Sequence, residues 1–564
     1  MIGLLVIIII LIFLIGYRLY GGFLATKMKL DDSCSTPACS INDGVDFVPA
    51  KPTLLLGQHF SAIAAAGPIV GPILAGILFG WLPAILWIVL GAIFIGGVHD
   101  FSSLVASIRH KAASIGEIVK KYMSPTSHIL FLIFVWFALI YVIIAFTDIT
   151  ANTFKTVTEG TAYGPGVAAS SILYLLAAVF MGIVLYRLKL KLWIATIIFL
   201  PLVLFIVWIG PRLPTTILMP LASLSIKQWD IIILFYCFFA SIVPMWILLQ
   251  PRGYLGGWFL YLIIIIGLLG ALFGGFAIQY PALNLSGLKS LVNGKLIFPV
   301  LFITVACGAC SGFHAIVSSG TTSKQLSKES DARPIGYGSM LLEGVVAVLA
   351  LATLMMIPRG DAILKRDPNL IYANGIARYL GLIGVNFSIA YPFALLAFST
   401  FVYDTLDVCT RLARYIFQEL SGLQSKIGGV ISALISLLLP FLFLMATKEK
   451  GYLVAWPIFG TSNQLLASLT LLAISVWLMK TGKNAVYTIL PMIFMTVMTL
   501  WSLLTFIIPF ITALGAGVAI KPDTTISGIC GIILFILSLL LIYEAIRVLF
   551  IPTAEKDYSL NKSK

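Results

Sequence analysis

Residues 57–76 read GQHFSAIAAAGPIVGPILAG. A Gln, a His and two Gly-Pro pairs stand in a long apolar run, where a plain membrane-spanning helix carries Leu and Val. Gly67-Pro68 and Gly71-Pro72 remove backbone donors and interrupt the i to i−4 ladder in two adjacent turns. Carbonyls freed in this way cannot face lipid; they must face protein, water or a bound ion. Discontinuous helices of this kind build the midplane sites of secondary transporters. His59, just ahead of the break, can take a proton or a carboxylate.

The rest of the chain supplies the membrane. Of its 564 residues, 60% are hydrophobic and 10% charged, with a mean hydropathy of +1.07. A soluble domain would hold about a quarter charged residues. No polar block is long enough to form a separate soluble domain. About fifteen apolar segments reach spanning length, from 2–20 through 56–79, 82–98, 230–249 and 297–319 to 527–550. The short period-2 segments of a membrane barrel are absent. The expected fold is all-α, a polytopic membrane helix bundle.

The net charge of +14 then reads as topology. With the N-terminus outside, alternating segments place about 24 Lys and Arg inside against about 12 outside, the sense of the positive-inside rule. The loop at 358–382 goes against this trend. No basic patch lies on a soluble face, so nucleic acid is not an expected partner; the anionic lipid surface is. The opening MIGLLVIIIILIFLIGYRLYGG lacks a basic n-region and a cleavage site, which predicts a retained first helix. Cys34 and Cys39 share a polar inside loop. Cys307 and Cys310 form a CxxC in an apolar helix with no second pair and no His cluster of ligand spacing, so packing is expected there rather than metal. No cofactor is expected.

Two further stretches resemble the first in their breaks. VACGACSGFHAIVSSGTTSKQL (305–326) places Ser311, His314, Ser318, Ser319 and Thr321 near Gly308, Gly312 and Gly320. Such hydroxyls can join freed carbonyls in an ion's oxygen shell. AWPIFGTSNQLLASL (455–469) carries Asn463 and Gln464 within an apolar run, where adjacent amides either bridge helices or bind solute. Ionisable residues inside the membrane are costly and point to function. Asp100 beside His99, Glu343, Asp404 and Asp407 are the candidates, with Arg411 four residues after Asp407 at ion-pair spacing. The expected substrate contacts are His59, Gly67, Pro68, Gly71, Pro72, His314, Asn463 and Gln464. The expected ion-coupling set is Asp100, Ser311, Ser318, Ser319, Thr321, Glu343, Asp407 and Arg411. The five His residues are scattered singly without HExxH spacing, and no GxxxxGK[ST] loop is present. An enzyme is not expected, and an ion gradient must supply the drive of a transporter. The alternatives are a sodium-coupled amino-acid or carboxylate symporter, a channel lined by the breaks, a membrane-embedded enzyme, and a structural or receptor role.

Six blocks, in order, resemble the carbon starvation protein A (CstA) family: LLLGQHFSAIAAAGPIVGPILAG, GGVHDFSSLVASIRHKAASIGEIV, FPVLFITVACGACSGFHAIVSSGTTSKQL, IGYGSMLLEGVVAVLAL, DTLDVCTRLARYIFQEL and AWPIFGTSNQLLA. They span roughly residues 17–480. The resemblance implies a bacterial inner-membrane secondary transporter for short peptides or a small carboxylate such as pyruvate, tied to carbon starvation. It also implies a five-plus-five inverted-repeat fold. The chain would divide into a first helix and polar loop (1–53), a transporter core (54–480), and C-terminal helices with a short basic tail (481–564). In that fold, 56–79 opens the first repeat, 230–249 (broken near Pro244) is the sixth helix, and 297–319 the eighth. Half-helix N-termini would draw a substrate carboxylate. The coupling ion would be a proton, through His59, Glu343 or Asp407, with sodium at the hydroxyls as the second choice. Family members often read Gly-His-His-Phe where this chain has Gly57-Gln58-His59-Phe60, so one titratable group remains there. The 358–382 region lacks the large insertion of long members.

Overall fold

The computed structural model describes all residues except 44–46, 159, 245, 285–296, 448–450, 518–519, 521 and 551–564. The basic tail expected at the C-terminus falls outside the described residues.

The apolar segments fold as helices. In order they are α1 (Ile2–Met28), short α2 (Pro37–Ile41), α3 (Pro52–Ile63), α4 (Gly67–Phe79), α5 (Trp81–Arg109), short α6 (Ile115–Tyr122), α7 (Pro125–Thr153), α8 (Gly164–Tyr186), α9 (Leu192–Ile209), α10 (Thr215–Ser223), α11 (Ile226–Ile242) and α12 (Leu249–Phe273). Then come α13 (Ile297–Thr304), α14 (Phe313–Gly320), α15 (Glu329–Met355, irregular at its start), α16 (Pro368–Gly381), α17 (Phe387–Ser421), α18 (Lys426–Ala446), α19 (Tyr452–Lys480), α20 (Val486–Gly515) and α21 (Pro522–Phe550). Among the described residues the strand content is a two-residue hairpin, Val157–Thr158 with Thr161–Ala162. Among the described residues, twelve helices are long and apolar enough to cross a membrane, and two bent pairs raise this to 14. The segment 297–319, one of the expected fifteen, forms two short helices, α13 and α14, outside this count.

Polar residues set the helix ends. Ser124, Asn386 and Ser425 accept first-turn amides of α7, α17 and α18, and Ser225 forms a capping box with Gln228 at α11. Burial then sorts the helices. The apolar windows of α17 and α19 are 89% buried, whereas those of α1 and α21 are 28% buried. Leu4, Ile8, Leu11 and Ile15 on α1 are exposed, a face that only lipid can cover favourably. The chain is a multi-pass membrane protein.

Element order repeats along the chain. A broken helix (α3 and α4) precedes a helix with a π-segment at Ala92–Gly96, a short helix, a long helix and two more spans. A second broken helix (α13 and α14) precedes a helix with a π-segment at Arg333–Gly338, a short helix, a long helix and two more spans. Seven spans run from α3/α4 to α12, so the second set starts on the opposite side from the first.

This order corrects two expectations. The helix bends once, by 44°, between Ile63 and Gly67. Pro68 starts α4, where its missing N–H costs nothing, and Pro72 lies inside an unbroken α4. The chain does stop near Pro244, but this stop separates two spans, α11 and α12. The break that faces 64–66 is 305–312: the nearest atoms to a Cβ on Gly67 belong to Cys307, and a Cβ on Gly71 would meet the Thr304 carbonyl.

Candidate functional site: a cavity and two buried charge networks

A cavity of about 130 Å³ lies between α3, the start of α12, the end of α14 and the middle of α17. Gln58, His59, Gln250, Tyr254, Thr321, Thr322, Asp404 and Asp407 line it. Leu249, Gln250 and Gly253 belong to the first turns of α12, so the positive end of that helix dipole faces the cavity. The N-terminal turns of α4 and α14, expected to hold substrate, do not line it. They close on each other instead. His59 sits in the wall with Nδ1 2.8 Å from the Thr322 hydroxyl.

Behind the wall, the two breaks enclose a network whose side chains are fully buried. Asp100 is bracketed by imidazoles: His99 Nδ1 lies 2.7 Å from Oδ1 and His314 Nδ1 2.7 Å from Oδ2. His314 Nε2 faces Glu343 Oε2 at 3.2 Å, within ion-pair range but oblique to a hydrogen bond. The amide of Gly308, in the second break, donates to Glu343 Oε1 at 3.1 Å. With His314 donating through Nδ1 to Asp100, a proton must lie on either Nε2 or Glu343, because two bare acceptors would otherwise meet in a dry site. The expected substrate residue His314 therefore belongs with the expected coupling residues Asp100 and Glu343.

A second network lies at the cavity edge. Arg252 on α12 bonds Asp407 and the Tyr236 hydroxyl through Nη1 and approaches Asp404 Oδ1 with Nε at 3.4 Å. Tyr236 also donates to Asp407 Oδ2 at 2.8 Å. The expected Asp407–Arg411 pair does not form among the described residues. Arg411 donates instead to the carbonyls of Ala240 and Val243 at the end of α11. Tertiary partners from two other helices outcompete the local spacing. The alternation of apolar segments places Arg252 in an inside loop, but it is 2% exposed. Its one sequence signal was its place beside two apolar runs.

The remaining expected residues have structural surroundings. Asn463 clamps the second break: its Oδ1 accepts from the Phe313 amide at 3.0 Å and its carbonyl from the Gly312 amide at 3.0 Å, while Nδ2 meets Ser311 Oγ at 2.9 Å. Gln464 donates to the carbonyls of Phe302 and Val305. Both amides bridge helices. Ser319 and Thr321 bond back to carbonyls of their own helix, and Ser318 Oγ is buried without a hydrogen-bond partner among the described residues. All seven cysteines are free.

The family model for carbon starvation protein CstA matches residues 2–365 and 360–502. The chain belongs to the CstA family. It is 34% identical over 573 residues to the peptide transporter CstA of Helicobacter pylori strain 26695, covering 88% of this chain and 81% of that one. It is 31% identical over 593 residues to the pyruvate/proton symporter BtsT of Escherichia coli K12, covering 87% and 80%. Among solved structures, a mutant of the Eremococcus coleocola manganese transporter aligns over 90% of this chain and 99% of that one, with 14% identity and a TM-score of 0.48. Within the CstA blocks, Gln58 and His59 sit on the cavity wall, while Asp100, His314 and Glu343 meet behind it.

Proposed function

We propose that this CstA-family chain is a proton-coupled secondary transporter of the bacterial inner membrane whose substrate is a small carboxylate of pyruvate size. The observation that carries this reading is the cavity itself, one small, mostly apolar chamber with a helix N-terminus, His59 and two carboxyl groups in its wall. An apolar cavity of about 150 Å³ accepts benzene, a ligand of six heavy atoms. The cavity here is about 130 Å³. Pyruvate also has six heavy atoms, whereas the smallest dipeptide has nine. The N-terminal turn of α12 can draw the substrate's carboxylate. The relative BtsT is named a pyruvate/proton symporter, in line with this choice.

The proton is proposed as coupling ion because imidazole and carboxyl groups, rather than a closed shell of oxygens, meet at the breaks. Each step of alternating access must part α14 from α5 or α15, and so must disturb the His314 contacts. Counterflow in proteoliposomes tests the reading. Labelled pyruvate should exchange against internal pyruvate with saturation, and competing dipeptides should not slow it. Exchange driven by dipeptides alone would replace the carboxylate with a peptide.

A further inference from the structure

Asp404 and Asp407 share a single guanidinium, and they hold it unequally. Asp407 is 1% exposed, and it accepts from both Arg252 Nη1 and the Tyr236 hydroxyl. Asp404 is 8% exposed and reaches Arg252 Nε at 3.4 Å without hydrogen-bond geometry. Its other oxygen, Oδ2, has no hydrogen-bond partner among the described residues and lies against Gly256, where a Cβ would come within 2.2 Å. Arg252 Nε is likewise buried and lacks a hydrogen bond. The guanidinium thus keeps one strong carboxylate partner and one weak one; both carboxylates line the cavity, and Arg252, which does not line it, lies against them.

We infer that Arg252 is the residue that binds the substrate carboxylate, and that Asp404 is the group displaced and protonated when it does so. The inference rests on the small-carboxylate reading above. A guanidinium presents several N–H donors in a planar fork suited to carboxylates. The substrate carboxylate takes the Nε face that Asp404 holds loosely, while Asp407 and Tyr236 keep Nη1 in place. Displaced Asp404 cannot remain ionised, because an unpaired buried carboxylate is costly. It takes a proton from the aqueous phase that delivers the substrate. Charge balances across the exchange. Before it, Arg252, Asp404 and Asp407 sum to −1. After it, Arg252, Asp407, the substrate carboxylate and neutral Asp404 again sum to −1. One proton accompanies each carboxylate.

The groups around Asp404 are consistent with this assignment. Among the described residues, Tyr174 on α8, Tyr236 and Cys237 on α11, Arg252 and Tyr254 on α12, His59 on α3, and Tyr403, Asp407, Cys409 and Arg411 on α17 are titratable and charged groups facing this part of the core. Arg411 is committed to the α11 carbonyls, so Arg252 is the guanidinium that displacement of Asp404 would open to the cavity.

Binding of labelled pyruvate to the purified full-length protein, followed between about pH 6 and pH 8, tests the assignment. If one proton enters with each pyruvate, affinity falls about tenfold per pH unit. Asp404→Asn should bind pyruvate at least as tightly and lose the pH slope. Arg252→Gln should weaken binding by on the order of 30-fold or more. The double variant Arg252→Gln, Asp404→Asn restores the charge balance if the single variant misfolds, and it should also fail to bind. Pyruvate binding of unaltered strength by a folded Arg252→Gln or double variant overturns the Arg252 assignment. A pH slope retained by Asp404→Asn overturns the proton assignment. If the unaltered protein does not bind pyruvate, the carboxylate reading fails, and this inference fails with it.

Discussion

Gly67 and Cys307 meet across the two helix breaks: a methyl group on Gly67 would stand 2.4 Å from both the Cβ and the Sγ of Cys307. Gly308, the next residue, takes a φ of +89° and turns its amide to Glu343. The close approach lets the breaks seal the network between them. Gly67→Ala should therefore lower stability by about 1–3 kcal/mol, the usual cost of overpacking. Cys307→Gly added to it should recover part of that loss. Thermal denaturation of the purified protein measures both, and an unchanged Tm for Gly67→Ala would show that the breaks are not in contact.

The Asp100 network makes a ranked prediction. Asp100 accepts two bonds of 2.7 Å, one to each imidazole, whereas Glu343 has one amide bond and one oblique ion contact. Removing one partner of a buried ion pair costs about 3–5 kcal/mol. Asp100→Asn should lie in that range, and Glu343→Gln should cost less, because its amide oxygen can still accept from Gly308. Denaturation midpoints in detergent would give the order. Equal losses would place the charge elsewhere in the network.

One proton per carboxylate makes transport electroneutral. Pyruvate uptake into proteoliposomes should respond to an inward pH gradient and be insensitive to a potassium diffusion potential set with valinomycin. A rate that follows the imposed voltage would require a different stoichiometry.

The loop after α1 is tied to the irregular start of α15. Asp32 accepts from the Ser330 amide at 2.9 Å and the Ser330 hydroxyl at 2.7 Å. These bonds hold the Asp32 carboxyl below its ordinary range. A lowered folded value means that the contact is fully present above the free value of about 3.9 and is lost as pH falls through the folded one. The tie should therefore be constant from pH 5 to pH 8, on the order of the physiological range. The protection factor of the Ser330 amide should stay constant throughout that range and be lower in Asp32→Asn. A protection factor that already falls between pH 8 and pH 6 would contradict the assignment.

Much of the architecture could be read from apolar length alone, because a bilayer admits few ways to bury a backbone. Glycine and proline punctuation pointed to broken helices in 57–76 and 305–326, but the first break lies at 64–66, ahead of both Gly-Pro pairs. The pairing of those breaks was not legible, since element order along 500 residues carries no distances. Arg252 shows the same limit. A charged residue at the edge of an apolar run reads as a loop residue until three helices close around it. Asp407 and Arg411 show its converse, where local spacing predicted a pair that Tyr236 and Arg252 supplanted. Asn463 and Gln464 could be recognised as needing partners, but not as clamps on the second break.

The most direct test is proton movement driven by substrate alone. Proteoliposomes holding a trapped pH indicator, with no pH or voltage gradient, would receive external pyruvate. The account predicts saturable internal acidification that persists when sodium is absent and vanishes in Asp404→Asn. Pyruvate entry without acidification, or acidification that requires sodium, would contradict proton-coupled carboxylate transport.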